Sequence, residues 1–378
     1  MNHFDVVVCG LGVMGCAALH ELARRGQRVL GIERFTPGHD RGSSHGSTRI
    51  IRLSYFEHPS YVPLVRRAYA LWQELEQASG QQLLYVTGVA EMGPPDGTLV
   101  AGTLAAARQH ELRHEVLSDS ELMHRYPAFR LPANFVGVVQ PDGGYLAAER
   151  SVEALMTQAR RAGASVRTGE TIKAIEPHPG QVRIVTDSGV VEAGTVIVAA
   201  GSWLTSLLPD LAVRLRVTRQ VMAWFTPIDP APFAPGHFPV FLIESRHGMH
   251  YGFPPFGNGA VKVAKHHHAN QTVDPENYDR TFNSDDEKLI RAAVADHLPS
   301  ANGQILNAQT CLYTVTPDGD FIIDRVPEFP QVIVASPCSG HGFKFAPAIG
   351  EILADLATVG STRHDISRFS LKRFCRSD

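Results

Sequence analysis

The sequence predicts a mixed α/β (α+β) fold: a Rossmann-like dinucleotide-binding domain joined to a discontinuous domain built on an antiparallel sheet. Three observations predict it. A β-branched run at 6–8 leads into Gly10-Leu11-Gly12-Val13-Met14-Gly15 and an Ala/Leu-rich stretch, and a second apolar run at 29–32 is closed by Glu33. Another Val/Ile/Ala run, 195–200, ends in Ala-Gly as a buried strand would. Four alternating segments at 217–226, 240–244, 250–253 and 260–264 suit a mostly antiparallel sheet.

In the first unit, Gly10 allows the tight turn, Gly12 lets backbone approach a pyrophosphate, and Gly15 lets the helix over 14–25 pack close to its strand. That helix aims its N-terminus at the phosphates. Gly26 stops it. Glu33 ends the second strand, where an acid binds ribose hydroxyls and repels a 2′-phosphate, so NADP is disfavoured. Three glycines alone make only a turn; the strand, helix, second strand and acid around them carry the dinucleotide reading.

Residues 36–51 are rich in Gly, Ser and His and read as a surface loop. Arg49 and Arg52, three apart, are expected to share one face of a helical turn. An amphipathic helix follows over 61–76. Strands are predicted over 83–92 and 136–140, with helices at 97–110 and 118–126 between them. Asp142-Gly143-Gly144-Tyr145 signals a turn. A helix over 151–162 stops at Gly163, a strand begins at 165, and a small antiparallel meander covers 170–175, 182–186 and 189–192. Past the second sheet, a helix is predicted over 285–298. Segments 311–314, 321–324 and 332–335 are expected to return to the nucleotide-binding side. A last helix, to 358, follows Ser339-Gly340-His341-Gly342-Phe343.

The 378 residues suffice for two cores, and 44% hydrophobic with 19% charged content is that of an ordinary globular protein. A net charge of −3 gives no reason to expect nucleic acid or an anionic membrane as partner. Five scattered cysteines form no disulfide framework, which points to a reducing cytoplasm. No signal peptide and no run of about 18 apolar residues is recognised. Adjacent histidines in a strand would face opposite ways, so His266-His267-His268 is not expected to bind metal, and no metal site is predicted.

The ordered motifs resemble the family of monomeric sarcosine oxidase and N-methyl-L-tryptophan oxidase, within the D-amino-acid-oxidase-like flavoproteins. They are Gly10 to Gly15 with Glu33, Gly42-Ser43-Ser44-His45-Gly46-Ser47-Thr48-Arg49 with Arg52, Tyr251-Gly252-Phe253-Pro254, and Val261-Lys262. Cys311-Leu312-Tyr313-Thr314, Asp320-Phe321-Ile322-Ile323-Asp324 and Ser339 to Phe345 complete the series. The resemblance implies a discontinuous FAD-binding domain (1–82, 141–215 and 318–378) and a substrate domain (83–140 and 216–317).

It also implies FAD attached through the Cys311 sulfur to the flavin 8α-methyl. Cys9, Cys16, Cys338 and Cys375 lack that context and read as structural. The expected cofactor wall includes Gly10, Gly12, Val13, Met14, Gly15, Glu33 and Arg34. It continues with Ser43, Ser44, Arg49, Ile172, Ala200, Gly201 and Trp203, then Gly340, Gly342, Phe343 and Lys344.

The implied reaction is oxidation of a secondary amino acid. A hydride leaves the carbon beside the amine for flavin N5, the imine hydrolyses, and O2 becomes hydrogen peroxide. By the same resemblance Arg52 and Lys344 hold the substrate carboxylate. Tyr251 and His266 line the substrate pocket as positioning groups. Lys262 activates O2 by stabilising its developing charge, and Arg49 and His45 lie near the flavin ring. Sarcosine is the expected substrate, with N-methyl-L-tryptophan or another bulky secondary amino acid as alternative, and the expected form is a monomer. An FAD dehydrogenase with another electron acceptor, a non-catalytic flavin module and an NAD-dependent dehydrogenase fit the retained Arg52, Lys262 and Lys344 less well.

Overall fold

The computed structural model describes residues 3–211 and 213–374; Cys375 lies outside them. Strand β1 (His3–Cys9), helix α1 (Val13–Arg24) and β2 (Val29–Glu33) form the opening βαβ unit. The chain continues through β3 (Thr48–Ile51), α2 (Val62–Ser79), β4 (Leu84–Val86), β5 (Val89–Gly93), α3 (Thr98–Gln109), β6 (Glu115–Ser118), α4 (Asp119–Arg125) and β7 (Val136–Gln140). Next come β8 (Gly144–Ala147), α5 (Ala148–Arg161), β9 (Ser165–Thr168), β10 (Ile172–His178), β11 (Gln181–Thr186), β12 (Gly189–Val198) and α6 (Leu204–Leu207). The second half holds β13 (Arg216–Phe225), β14 (Val240–Ser245), β15 (Gly248–Phe253), β16 (Val261–Lys265), α7 (Ser284–His297), β17 (Ile305–Val315), β18 (Ile322–Val326), β19 (Phe329–Ser336) and α8 (Ala346–Thr358).

The first sheet runs β10-β11-β12-β1-β2-β9, with β19 on β12 and β18 on β19. Its centre is parallel: β1 lies between β2 and β12. Strand β12 serves two partners on one edge, antiparallel β11 along its first half and parallel β19 along its second. Alternate residues of β1 bury on opposite faces. Val6 and Val8 join a core with α1, α5 and α8, including Leu19, Leu155 and Leu353. Val7 and Cys9 join Leu30, Ile32 and Val196 on the other face. A strand covered on both sides needs an unbroken apolar run, which is what 6–9 supply.

The second sheet runs β17-β13-β16-β15-β14-β5-β7-β6 and is antiparallel except where β5 meets β14. Its core is aromatic, with Phe225, Phe233, Phe238 and Phe241 packed against Ile290 and Val294 of α7. A third, three-stranded sheet, β3-β8-β4, has no counterpart in the sequence reading.

Four expectations are corrected. Residues 48–51 are a strand, not a helical turn: Thr48, Ile50 and Ile51 are β-branched and pair antiparallel with β8. Segment 311–314 does not return to the nucleotide-binding side but belongs to β17, paired with β13 in the second sheet. His266, His267 and His268 follow β16 in a turn, the latter two with φ of 59° and 33°. The adjacent rings do not face opposite ways: His266 and His267 pack with centroids 4.2 Å apart, and only His268 turns away, its Nε2 2.9 Å from Asp286 Oδ1. Two strands stand within 83–92 rather than one, because Gly88, at φ 74°, breaks the run and sends β4 and β5 to different sheets.

Candidate active site

A cavity of about 310 Å³ opens at the C-terminal ends of β1 and β2 and reaches across to the second sheet. At its first end the backbone is bare. A Cβ on Gly10 (φ 90°) would come within 2.8 Å of Ala199 O, and one on Gly15 would overlap the Gly10 carbonyl oxygen. Helix α1 therefore starts against the turn with no side-chain cap and no acidic residue in its first turn. Its free N–H groups and dipole face the cavity. Ser44 Oγ accepts from Val13 N at 3.1 Å, tying the 43–46 loop to this helix end. The Glu33 carboxylate accepts from Leu11 N at 2.7 Å and Phe35 N at 2.9 Å, which fixes it on the cavity rim. Gly342 is equally constrained, since a Cβ there would overlap Pro337 O.

The other end gathers buried charge. Arg52 and Lys344 are both buried. Arg52 NH2 donates to both oxygens of Glu57, at 2.8 and 2.6 Å, and its Nε lies 3.5 Å from Glu91. Burial works against the guanidinium's charge, but Glu57 and Glu91 outweigh it and hold Arg52 above its ordinary value. Burial likewise raises Glu57, yet Arg52, His341 and Lys344 bring it down to about 2. Lys344 Nζ donates to His341 O at 2.7 Å and Tyr55 Oη at 3.4 Å. Burial, then Arg52, pushes Lys344 down to about 7. Tyr251 and His266 stand on the same wall. Burial raises the Tyr251 phenol and, with His267, lowers His266 to about 3, so both are neutral near pH 7. Tyr313 Oη lies 3.5 Å from His266 Nδ1.

Of the residues singled out in the sequence, all but three line this one cavity: Val13, Met14, Arg34, Ser43, Ile172, Ala200, Gly201, Trp203, Gly340 and Phe343 stand there with those already described. Arg49 lines it too, although it is on a strand. Its guanidinium donates to Thr48 O at 2.9 Å and Ser43 O at 2.8 Å. Cys311 lines the wall from β17; burial raises its thiol, while Arg49 and Lys262 oppose the rise.

Gly15, His45 and Lys262 stand behind the wall. Gly15 acts through packing. Burial and then Arg49 push His45 down to about 4, so it is neutral, and Arg49 is the cation at this point. Lys262 Nζ is buried and donates to Gly46 O at 2.6 Å, Thr48 O at 2.9 Å and Thr48 Oγ1 at 3.2 Å. Burial, then Arg49, lowers it well below the usual lysine value. Cys338 also lines the cavity. Sequence reasoning missed Glu57, Tyr55, Tyr313, His341 and Glu91. A carboxylate inside the apolar 89–92 run was the one available signal, since such a residue is seldom buried without a partner.

No group of three or more His, Cys, Asp or Glu among the described residues could hold a metal ion, and no helix among them is long and apolar enough to cross a membrane. The first end fits FAD on chemical grounds. Bare glycine backbone and an uncapped helix N-terminus suit a pyrophosphate, and Glu33 suits a ribose.

Residues 5–356 match the family described as FAD dependent oxidoreductase. The chain is 41% identical over 375 residues to monomeric sarcosine oxidase of Streptomyces avermitilis, covering 98% of this chain and 97% of that protein. It is 39% identical over 378 residues to monomeric sarcosine oxidase of Bacillus sp. (strain NS-129), with the same coverages. It is 37% identical over 374 residues to N-methyl-L-tryptophan oxidase of Yersinia pestis, covering 98% and 99%. Among solved structures, NikD, an unusual amino acid oxidase of nikkomycin biosynthesis, superposes with a TM-score of 0.86 at 28% identity, covering 98% of each chain. L-proline dehydrogenase from P. horikoshii shares the fold, with a TM-score of 0.85 at 22% identity over 98% of this chain and 97% of that one. By the match along nearly its whole length, joined to a cavity whose first end is shaped for FAD, this chain belongs to the FAD-dependent oxidoreductases, in the group of monomeric sarcosine oxidase and N-methyl-L-tryptophan oxidase.

Proposed function

We propose that this chain is an oxidase of N-methyl amino acids and that sarcosine is its substrate, converted with O2 and water to glycine, formaldehyde and hydrogen peroxide. The observation that carries the reading is the buried Arg52–Lys344 pair at the end of a cavity that begins at the α1 N-terminus. FAD, when bound, supplies the two-electron acceptor for the C–H bond beside the amine and the route of those electrons to O2. Gly10, Gly12, Val13, Met14, Glu33, Arg34, Ser43, Ser44, Ile172, Ala200, Gly201 and Trp203 would hold it, with Cys311 as the covalent anchor.

The residues then divide the work. Arg52 offers a fork and Lys344 a point charge to the substrate carboxylate. The same two cations disfavour an ammonium nearby, which favours the amine with a free lone pair. His266, at about 3, is too weak a base to carry that proton, which supports a positioning role for it and for Tyr251. Arg49 supplies positive charge next to Cys311. Lys262, behind the wall on Gly46 O and two oxygens of Thr48, is assigned the stabilisation of charge developing on O2, which it performs in its protonated form although burial and Arg49 lower it. Phe56, Leu242, Met249 and Phe253 add apolar surface to the same cavity.

The proposal includes the two-domain division expected from the sequence, with the cavity between the sheets, and a cytoplasmic monomer. The test is a peroxide-coupled screen in air of sarcosine, N-methyl-L-tryptophan and L-proline. Sarcosine should give the highest kcat/KM, and Arg52→Met should raise its KM about 10- to 100-fold, as loss of a charge-assisted bond predicts. Faster turnover of N-methyl-L-tryptophan overturns the substrate assignment; no peroxide from any secondary amino acid overturns the oxidase.

A further inference from the structure

Glu91 has no task in the reaction above, yet it is fully buried on β5 beneath Arg52. Gln140 Nε2 of β7 donates to its Oε2 at 2.5 Å. Its Oε1 has no hydrogen-bond partner, and Arg52 Nε stands 3.5 Å away. Gln140 is itself fixed: Ser54 N donates to its Oε1 at 2.7 Å, while Arg52 NH1 donates to Ser54 O at 2.8 Å. Glu91, Gln140, Ser54 and Arg52 thus close a ring, and Glu57 grips the guanidinium through NH2. Arg52 is held between two carboxylates.

The titratable and charged groups facing Glu91 are few. The segment after β3 contributes Arg52, Tyr55 and Glu57, and the turn before α8 contributes Lys344. Helix α3 contributes only the neutral Thr103, whose hydroxyl faces the Glu91 carboxylate and works against its rise. On the flanking strands, Leu242 of β14 and Val138 of β7 stand opposite it. Arg52 and Lys344 therefore set at most two cations against two carboxylates before any ligand arrives, and Arg52 alone once Lys344 has lost its proton. A docked substrate carboxylate adds a third anion against at most two cations at a buried site, and neighbouring carboxylates there cannot all stay ionised. Glu57 is the wrong one to yield, because Arg52 stabilises its charge directly. Glu91 has a free oxygen and the weaker hold on Arg52. Burial, reinforced by Glu57 and opposed by Arg52, already raises it to about 7.

We propose that Glu91 couples proton uptake to substrate binding: it takes one proton from solvent onto its free oxygen when a carboxylate docks at Arg52, and returns it when the ligand leaves. Glu91 is then a positioning residue, and its neutralisation leaves Arg52 to the substrate. The inference rests on Arg52 being the carboxylate site.

The test is infrared difference spectroscopy of the holoenzyme at about pH 8, above the range in which the free site is already protonated. The probe is ¹³C-labelled acetate, which has no amine proton of its own. Binding should raise the carbonyl band of a protonated carboxylic acid, which Glu91→Gln removes and Gln140→Leu shifts. The Gln140→Leu arm reads the same group should Glu91→Gln fail to fold. Protonation of Lys344 gives no such band. Arg52-dependent acetate binding without the band, or with a band that persists in Glu91→Gln and does not shift in Gln140→Leu, overturns this proposal alone. Acetate that binds Arg52→Met as tightly as wild type overturns the carboxylate site, and this proposal with it.

Discussion

Cys311 is the residue on which the proposed covalent attachment of FAD turns. Its thiol is buried on β17, where Arg49 and Lys262 favour the thiolate that burial disfavours. Cys311→Ala should leave FAD removable: acid-precipitated wild type stays yellow, and the variant's pellet is colourless. Lys262→Met should slow reoxidation of the reduced enzyme by O2 about 10²-fold, with anaerobic reduction by substrate nearly unchanged; equal reoxidation rates would remove the lysine from the chemistry. Lys344 makes a pH prediction. Its ammonium, lowered to about 7, is present below that pH and lost above it. Carboxylate affinity should therefore fall as pH rises through 7, and Lys344→Met should lessen the fall, leaving the part that proton uptake by Glu91 contributes, as a titration with acetate checks. Most of these side chains were legible because they sit inside motifs. Glu57 was not, since nothing in the sequence says which acid will pair with Arg52. His45 was legible as a neighbour of the site but not as a neutral ring, because burial is a property of the packed chain.

At the scale of elements, the βαβ unit was readable because each part has a local cause: β-branched strand, glycine turn, apolar helix, acid at the second strand's end. Gly15 is where this packing is tightest, because any side chain there meets the Gly10 carbonyl. Gly15→Ala should cost about 1–3 kcal/mol by overpacking and weaken FAD retention, measured by denaturant unfolding and by flavin content. The elements misread were those whose state depends on a distant partner. Strand β3 exists because β8 pairs with it nearly 100 residues later, and spacing between two arginines carried no trace of that. Strand β17 looks from its sequence like part of the nucleotide-binding side, but its register is set by β13 across the whole length of both. The turn at 266–268 needs left-handed backbone at two histidines, which a run of identical residues does not announce.

For the whole molecule, the contrast between a parallel and an antiparallel sheet was visible as unbroken against alternating apolar runs. The small β3-β8-β4 sheet was not, since its strands have three or four residues each, too short for a period to show. What the two large sheets accomplish jointly is to bring glycine backbone from one and Cys311, Tyr251 and His266 from the other to the same cavity as Arg52 and Lys344. The central claim is that this cavity carries electrons from a small amino acid to a flavin and on to oxygen. Anaerobic addition of sarcosine to the purified holoenzyme tests it most directly. The account predicts that the flavin's yellow absorbance bleaches, and that admitting air restores it with release of an equal amount of hydrogen peroxide; a spectrum that sarcosine leaves unchanged, or a bleached flavin that stays bleached in air, would contradict it.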